Sequence, residues 1–165
     1  MNISKKFKNI IFSKETIVPT FVIFFTFVLD RISKMSIINE QLNNGSLYVN
    51  NYLNFDLVWN TGISFGLLSQ TDTAYYHLMS LLILFVIIFL IYLIRKADFK
   101  EKILFSLIFG GAVGNFYDRV TFYAVPDFID FHINELHWFT FNIADIFITI
   151  GVIFLISKDL FWIKK

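Results

Sequence analysis

Four stretches of this chain are apolar enough and long enough to cross a bilayer as helices, and no other feature limits the fold so tightly. A hydrocarbon core of about 30 Å needs roughly 20 apolar residues wound as a helix. The stretches lie near residues 16–35, 77–94, 103–119 and 143–160. Any one of them could be the core helix of a soluble domain. Four of them in 165 residues leave too little polar surface to dissolve the chain. Charged residues make up 16% of the sequence, where an average globular chain carries about 25%. The expected fold is an all-α polytopic membrane protein of four spans, forming a single membrane-embedded domain over residues 1–165. The first stretch is not read as a cleaved signal peptide: Asp30, Arg31 and Lys34 mark its end, and no small-x-small site follows.

The basic residues give an orientation. Lys5, Lys6, Lys8 and Lys14 precede the first stretch, and Arg95, Lys96, Lys100 and Lys102 lie between the second and third. Lys158, Lys164 and Lys165 lie at or beyond the end of the fourth, so these groups hold 11 of the 14 Lys and Arg. The longer connections, near 36–73 and 120–140, hold none. Basic residues stay on the cytoplasmic side. Both termini are therefore expected in the cytoplasm and both longer connections outside. The first outer connection contains Asn44-Gly45, a turn signal, and an alternating Leu53-Asn54-Phe55-Asp56-Leu57. Together they predict a small sheet lying against the outer membrane face. Trp59, Tyr123 and Trp138 fall near expected interfaces, where aromatic belts form, and Trp162 reads the same way at the other side.

Composition also excludes. The chain has no cysteine, which removes disulfides, thiol nucleophiles and thiolate metal sites. The net charge of +1 gives no field for nucleic acid. His77, His132 and His137 have no ligand spacing such as His-Glu-x-x-His, and are expected as interfacial polar residues rather than metal ligands.

An ionisable group in a membrane span is costly and is a functional hypothesis by default. Asp30 lies near the outer end of the first span, Asp118 near that of the third, and Asp145 near that of the fourth. Asp127 lies nine residues past Asp118 and can reach the same depth. Topology thus gathers the carboxylates at one level, just below the outer surface. Asp30 and Lys34 form an i, i+4 pair, and Asn115, Asp118 and Arg119 share a helix face, as do Asn142 and Asp145. The simplest reading of Asp30–Lys34 and Asp118–Arg119 is mutual neutralisation. Asp127 and Asp145 have no obvious local cationic partner. Two such carboxylates in low dielectric cannot both ionise cheaply, so one holds a proton and the pair titrates jointly. That condition suits acid–base activation of a water. Gly110, Gly111 and Gly114 form a small-residue face for close helix approach. Asp130 and Glu135 are expected as solvated loop acids.

At these residues the sequence resembles lipoprotein signal peptidase, signal peptidase II. The matching blocks run in order: Asp30-Arg31-x-x-Lys34, Asn60-x-Gly62-x-Ser64-Phe65-Gly66, and Gly110-Gly111-Ala112-x-Gly114-Asn115-x-x-Asp118-Arg119. Val125-x-Asp127-Phe128-Ile129-Asp130 and Phe141-Asn142-x-Ala144-Asp145 follow. The resemblance implies that Asp127 and Asp145 are the catalytic aspartates. It implies that Asn60, Gly62, Asn115, Arg119 and Asn142 line the site, that Asp30, Lys34 and Asp118 support it, and that the outer loop forms a small β-cradle on the outer membrane face. The implied activity is removal of signal peptides from diacylglyceryl-modified prolipoproteins, just before the lipidated cysteine, with no metal or organic cofactor. The implied partners are those substrates and membrane lipids, in a bacterial inner membrane, with the enzyme as a monomer. Ile63, Phe139 and Pro126 depart from the family's usual residues; Pro126 favours an extended Val125.

Other classes fit less well. A proton or ion carrier would spread its acids across the bilayer. A divalent-dependent transferase would use Asp127 and Asp130 together, but has no second Asp-rich block. A Ser-Lys peptidase would rest on Ser33 and Lys34, chain neighbours that face different ways. A presenilin-type protease needs Gly-x-Gly-Asp, which is missing.

Overall fold

The computed structural model describes residues 12–62, 73–134 and 136–162. Lys5, Lys6, Lys8, Lys164 and Lys165, the Ser64–Gly66 part of the second block, Ile63 and Glu135 lie outside the described residues. The described elements are α1 (Lys14–Asn44), β1 (Leu47–Asn50), β2 (Leu53–Asn60), α2 (Thr73–Lys96), α3 (Phe99–Phe122), β3 (Val125–Ile133), β4 (Leu136–Phe141) and α4 (Ile143–Trp162). All four expected apolar stretches are helical. α1 runs nine residues past its expected end at 35, because Ser36–Asn44 has no Pro or Gly to stop it before Gly45 at φ 74°. Of the four, α2 alone among the described residues is long and apolar enough to cross a membrane by length and composition, over His77–Lys96. Ionisable residues interrupt the apolar run in each of the others, Asp30, Arg31 and Lys34 in α1 among them.

The sheet is antiparallel with strand order β1-β2-β3-β4. It corrects the expected all-α description: both longer connections, not the first alone, supply strands to one four-stranded sheet. β3 escaped sequence reading because it is buried on both faces, so VPDFIDFHI shows little polar–apolar alternation. Pro126 sits beside Trp59 of β2, before β4 pairing begins at Ile129, where no β4 ladder bond is lost. Asp56 and Leu57 span a bulge in β2 opposite β3. Gln41 of α1 satisfies the backbone there, accepting from Leu57 N–H at 2.8 Å and donating to Phe55 C=O at 2.7 Å.

α3 is the hub of the bundle, packed against α1, α2 and α4. Its glycines let two neighbours in. A Cβ on Gly110 would sit 2.8 Å from Thr26 Cβ of α1, and one on Gly111 would sit 2.7 Å from Ala144 O of α4. Gly151 returns the favour from α4, where a Cβ would lie 2.5 Å from Ile108. At the bundle end far from the sheet, an Asp98–Glu101 capping box starts α3. Lys158 of α4 bonds both acids of that box, and Lys102 bonds Glu15 of α1 at 3.0 Å. Large apolar side chains such as Phe21, Phe24, Phe85, Ile88 and Phe154 point outward from the helices. A belt of that size on a soluble monomer would be an aggregation hazard.

Candidate active site

Asp127 and Asp145 reach the same small cavity by different routes. α3 ends at Tyr123, which turns the chain through a left-handed conformation (φ 58°) into β3, so Asp127 arrives on the strand that leaves the bundle. Asp145 arrives in the first turn of α4, which β4 enters through Asn142. Asn142 and Asp145 cap each other: Asp145 N–H donates to Asn142 Oδ1 at 3.1 Å, and Asn142 N–H donates to Asp145 Oδ2 at 3.2 Å. This is a capping box built from Asn and Asp, which uses two orphan donors of the helix end.

The cavity is lined by Asn60, Asn115, Arg119, Val125, Asp127, Asn142 and Asp145. Its open space is about 10 Å³, close to what one water needs. Three asparagine amides hold the two carboxylates. Asn142 Nδ2 donates to Asp127 Oδ1 at 2.6 Å, and Asn60 Nδ2 donates to Asp127 Oδ2 at 2.7 Å. Asn115 Nδ2 donates to Asp145 Oδ1 at 2.9 Å. The amides fix the rotamers without neutralising the charge. Burial, and then the facing Asp145 carboxylate, push the Asp127 carboxyl up to about 6, while the bonds from Asn60 and Asn142 pull the other way. Gly62 N–H donates to Asn60 Oδ1 at 2.9 Å and so aims its amide. Arg119 donates to Gly62 C=O and, at 3.4 Å, to Asn115 C=O.

Beneath the cavity lies a buried charge cluster. Lys34 Nζ, with no exposed surface, donates to Asp30 at 2.9 Å, Asn115 Oδ1 at 2.8 Å and Asp118 at 2.7 Å. Arg31 grips Asp118 with two bonds, at 2.5 and 2.8 Å, and reaches Asp30 at 2.9 Å. Asp30 also accepts Ala144 N–H of α4 at 3.1 Å, an anion held at a helix N-terminus. Two cations and two anions thus balance. Asn115 couples the layers, accepting from Lys34 and donating to Asp145.

Every site residue expected from the sequence falls in one of these two layers. The expected Asp118–Arg119 pair does not form. Successive helix residues diverge by about 100°, so Asp118 turns to α1 while Arg119 turns to the cavity. Arg31, absent from the expected site, takes the place beside Asp118; its signal was an arginine inside an apolar stretch. Ser33 bonds Asp30 C=O and Lys34 is held by acids, so Ser33 and Lys34 do not pair. Asp127 and Asp130 do not converge either. Alternation along β3 puts them on opposite faces, with separate partners. Asp130 is buried rather than solvated, and its carboxylate bonds His137 Nδ1 at 2.7 Å.

The family model for signal peptidase (SPase) II matches residues 22–161. The lipoprotein signal peptidase of Pelagibacter ubique (strain HTCC1062) is 45% identical over 146 residues, covering 87% of this chain and 88% of that protein. The lipoprotein signal peptidase of Francisella tularensis subsp. novicida (strain U112) is 48% identical over 124 residues, covering 73% and 77%. Two bacterial membrane enzyme structures, obtained by the in meso method at 2.3 and 1.9 Å resolution, superpose with TM-scores of 0.72 and 0.70. They are 33% and 32% identical to this chain and cover 86% and 87% of it; the matches span 87% and 92% of their own chains.

Proposed function

The chain belongs to the signal peptidase II family, a group of bacterial membrane peptidases that process lipoproteins, and from that premise we propose that it works as an aspartic endopeptidase through Asp127 and Asp145. Its substrates are diacylglyceryl-modified prolipoproteins, cut just before the lipidated cysteine. The observation that carries the reading is the pair of buried carboxylates on one water-sized cavity, each held by amides.

The reaction follows from that arrangement. With one proton shared between them, the ionised carboxylate takes a proton from the water as it attacks the scissile carbonyl. The protonated carboxyl polarises that carbonyl and then protonates the leaving amine. Asn60 and Arg119 lie where they can bind substrate backbone or developing charge. Asp30, Arg31, Lys34 and Asp118 hold α1, α3 and α4 in register and set Asn115 for Asp145.

All four helices cross the bilayer in this reading, as one domain with both termini cytoplasmic and the sheet on the outer face. The buried charge cluster is internally neutralised, which is what lets α1 and α3 carry ionisable groups at membrane depth. Substrate enters from the bilayer, its acyl chains against apolar helix faces. The test is cleavage of a diacylglyceryl-modified prolipoprotein by purified protein in detergent, with chelator present and with Asp127→Asn as control. Cleavage that resists chelator and is lost in the variant supports the proposal. Full processing by Asp127→Asn would end it.

A further inference from the structure

We propose that the β3–β4 hairpin carries a binding site for a divalent transition-metal ion of the Zn²⁺ class, formed by Asp130, His132 and His137. The site is separate from the carboxylate cavity, because alternation puts Asp130 and His132 on the face of β3 opposite Asp127.

Sequence spacing hid this cluster and a bulge creates it. Asp130 pairs with Thr140 and Phe131 with Phe139, so strict alternation would set Trp138 opposite His132. The register shifts by one residue there, and His132 instead pairs with His137. A bulge re-aims side chains in this way. Trp138 goes to the other face, where its ring meets Phe131 at 6.2 Å. His137 comes to the Asp130–His132 face, its ring stacked on that of His132 at 5.1 Å.

One ligand atom from each residue lies within 4.8 Å of the other two. Asp130 Oδ2 is 2.7 Å from His137 Nδ1 and 3.5 Å from His132 Nδ1. Ligand atoms around a tetrahedral Zn²⁺ with bonds of about 2.0–2.1 Å sit roughly 3.3 Å apart, so small side-chain shifts suffice. Two imidazoles and a carboxylate suit Zn²⁺ and its neighbours better than Mg²⁺ or Ca²⁺, which prefer oxygen shells.

The second observation is His132 Nδ1. It is buried and has no hydrogen-bond partner, in a residue 6% exposed. A lone pair on that nitrogen would face the Asp130 carboxylate at 3.5 Å. Such a contact is relieved either by a hydrogen on Nδ1, in the neutral tautomer that carries it there, or by a metal ion between the two atoms. His137, whose side chain is 59% exposed, opens the site to solvent and leaves a fourth position for water.

The test uses untagged protein in detergent, stripped with chelator and dialysed. Co²⁺ is titrated in and the visible bands of four-coordinate cobalt are read, followed by displacement with Zn²⁺. The expected result is saturable binding of one equivalent, weakened at least about tenfold in His137→Ala and in His132→Ala, and unchanged in His77→Ala. His137 is exposed, so its variant folds and decides the matter even where His132→Ala does not. No saturable binding by the wild type, or equal affinity in His137→Ala, overturns the site. Binding is read without substrate, so this outcome is independent of the peptidase proposal.

Discussion

Asn142 binds both carboxylates of the candidate site at once, its Nδ2 on Asp127 at 2.6 Å and its backbone N–H on Asp145 at 3.2 Å, while its Oδ1 caps α4. One side chain therefore starts a helix and spaces the two acids. Replacing it by Ala removes a helix cap worth about 1 kcal/mol. It also frees Asp127 to leave the cavity. Asn142→Ala is expected to melt slightly lower and to lose most cleavage. Unchanged kcat with only a lower melting point would confine Asn142 to capping.

Asp127→Asn and Asp145→Asn are each expected to reduce cleavage at least about 100-fold, the lower range for loss of an acid–base group. The double variant is expected to be no worse than either single one, because the two act as a unit. Gel analysis of prolipoprotein processing, with circular dichroism to confirm folding, checks both statements. Additive losses would separate the two roles.

The pH profile follows from the Asp127 carboxyl, which burial and the Asp145 charge raise to about 6. Below about 6 Asp127 retains its proton and can serve as the acid; above it that proton is lost. The expected kcat/KM therefore falls as pH rises through about 6, and a flat profile from pH 5 to 8 argues against a shared proton. The same raised value means that the folded protein binds more protons than the unfolded chain between about 4 and 6. The contribution of Asp127 to stability accordingly declines as pH rises across that window and is level above it.

Lys34→Met is expected to destabilise by about 3–5 kcal/mol, since Asp30 and Asp118 would lose a fully buried partner. Arg31 then faces both acids alone. A thermal melt in detergent measures the loss. A change below about 1 kcal/mol would mean that Arg31 suffices to neutralise the cluster.

Gly114→Ala tests the approach of α1 and α3. The added Cβ would lie 2.6 Å from Asp30 Oδ2. Displacing that carboxylate disturbs its bonds to Lys34 and Ala144 N–H. Overpacking of this kind costs about 1–3 kcal/mol. Since Asp30 anchors the start of α4, cleavage is expected to fall along with stability. A variant as stable as wild type would show that Asp30 can move freely.

Much of the site was legible along the chain because its signals are local or are set by topology. Asn142 and Asp145 lie three residues apart on one helix turn, and Asp30 and Lys34 lie four apart. Both spacings name partners directly, and both pairs form. Orientation by basic residues led to the expectation that the four acids gather at one level, and the structure joins them through Lys34, Asn115 and Asn142. The small-residue face of α3 was readable as a place of close approach, though not which glycine meets which neighbour.

Other features needed the folded chain. Arg31 and Asp118 are 87 residues apart, and only the packing of α1 on α3 brings them together. The partner of Asp118 was misread because chain adjacency to Arg119 says nothing about facing. β3 had no periodic signal because both its faces are covered. The pairing of His132 with His137 depends on a single extra residue in β4. The sequence alone determined the helical stretches and the chemistry that two carboxylates offer, because hydrophobicity and spacing act over one helix at a time. Tertiary structure alone decided which cation neutralises which acid, which amide holds which aspartate, and which faces of the sheet meet. Those choices depend on distances between segments far apart in the chain, and pattern along the chain does not encode distance across it.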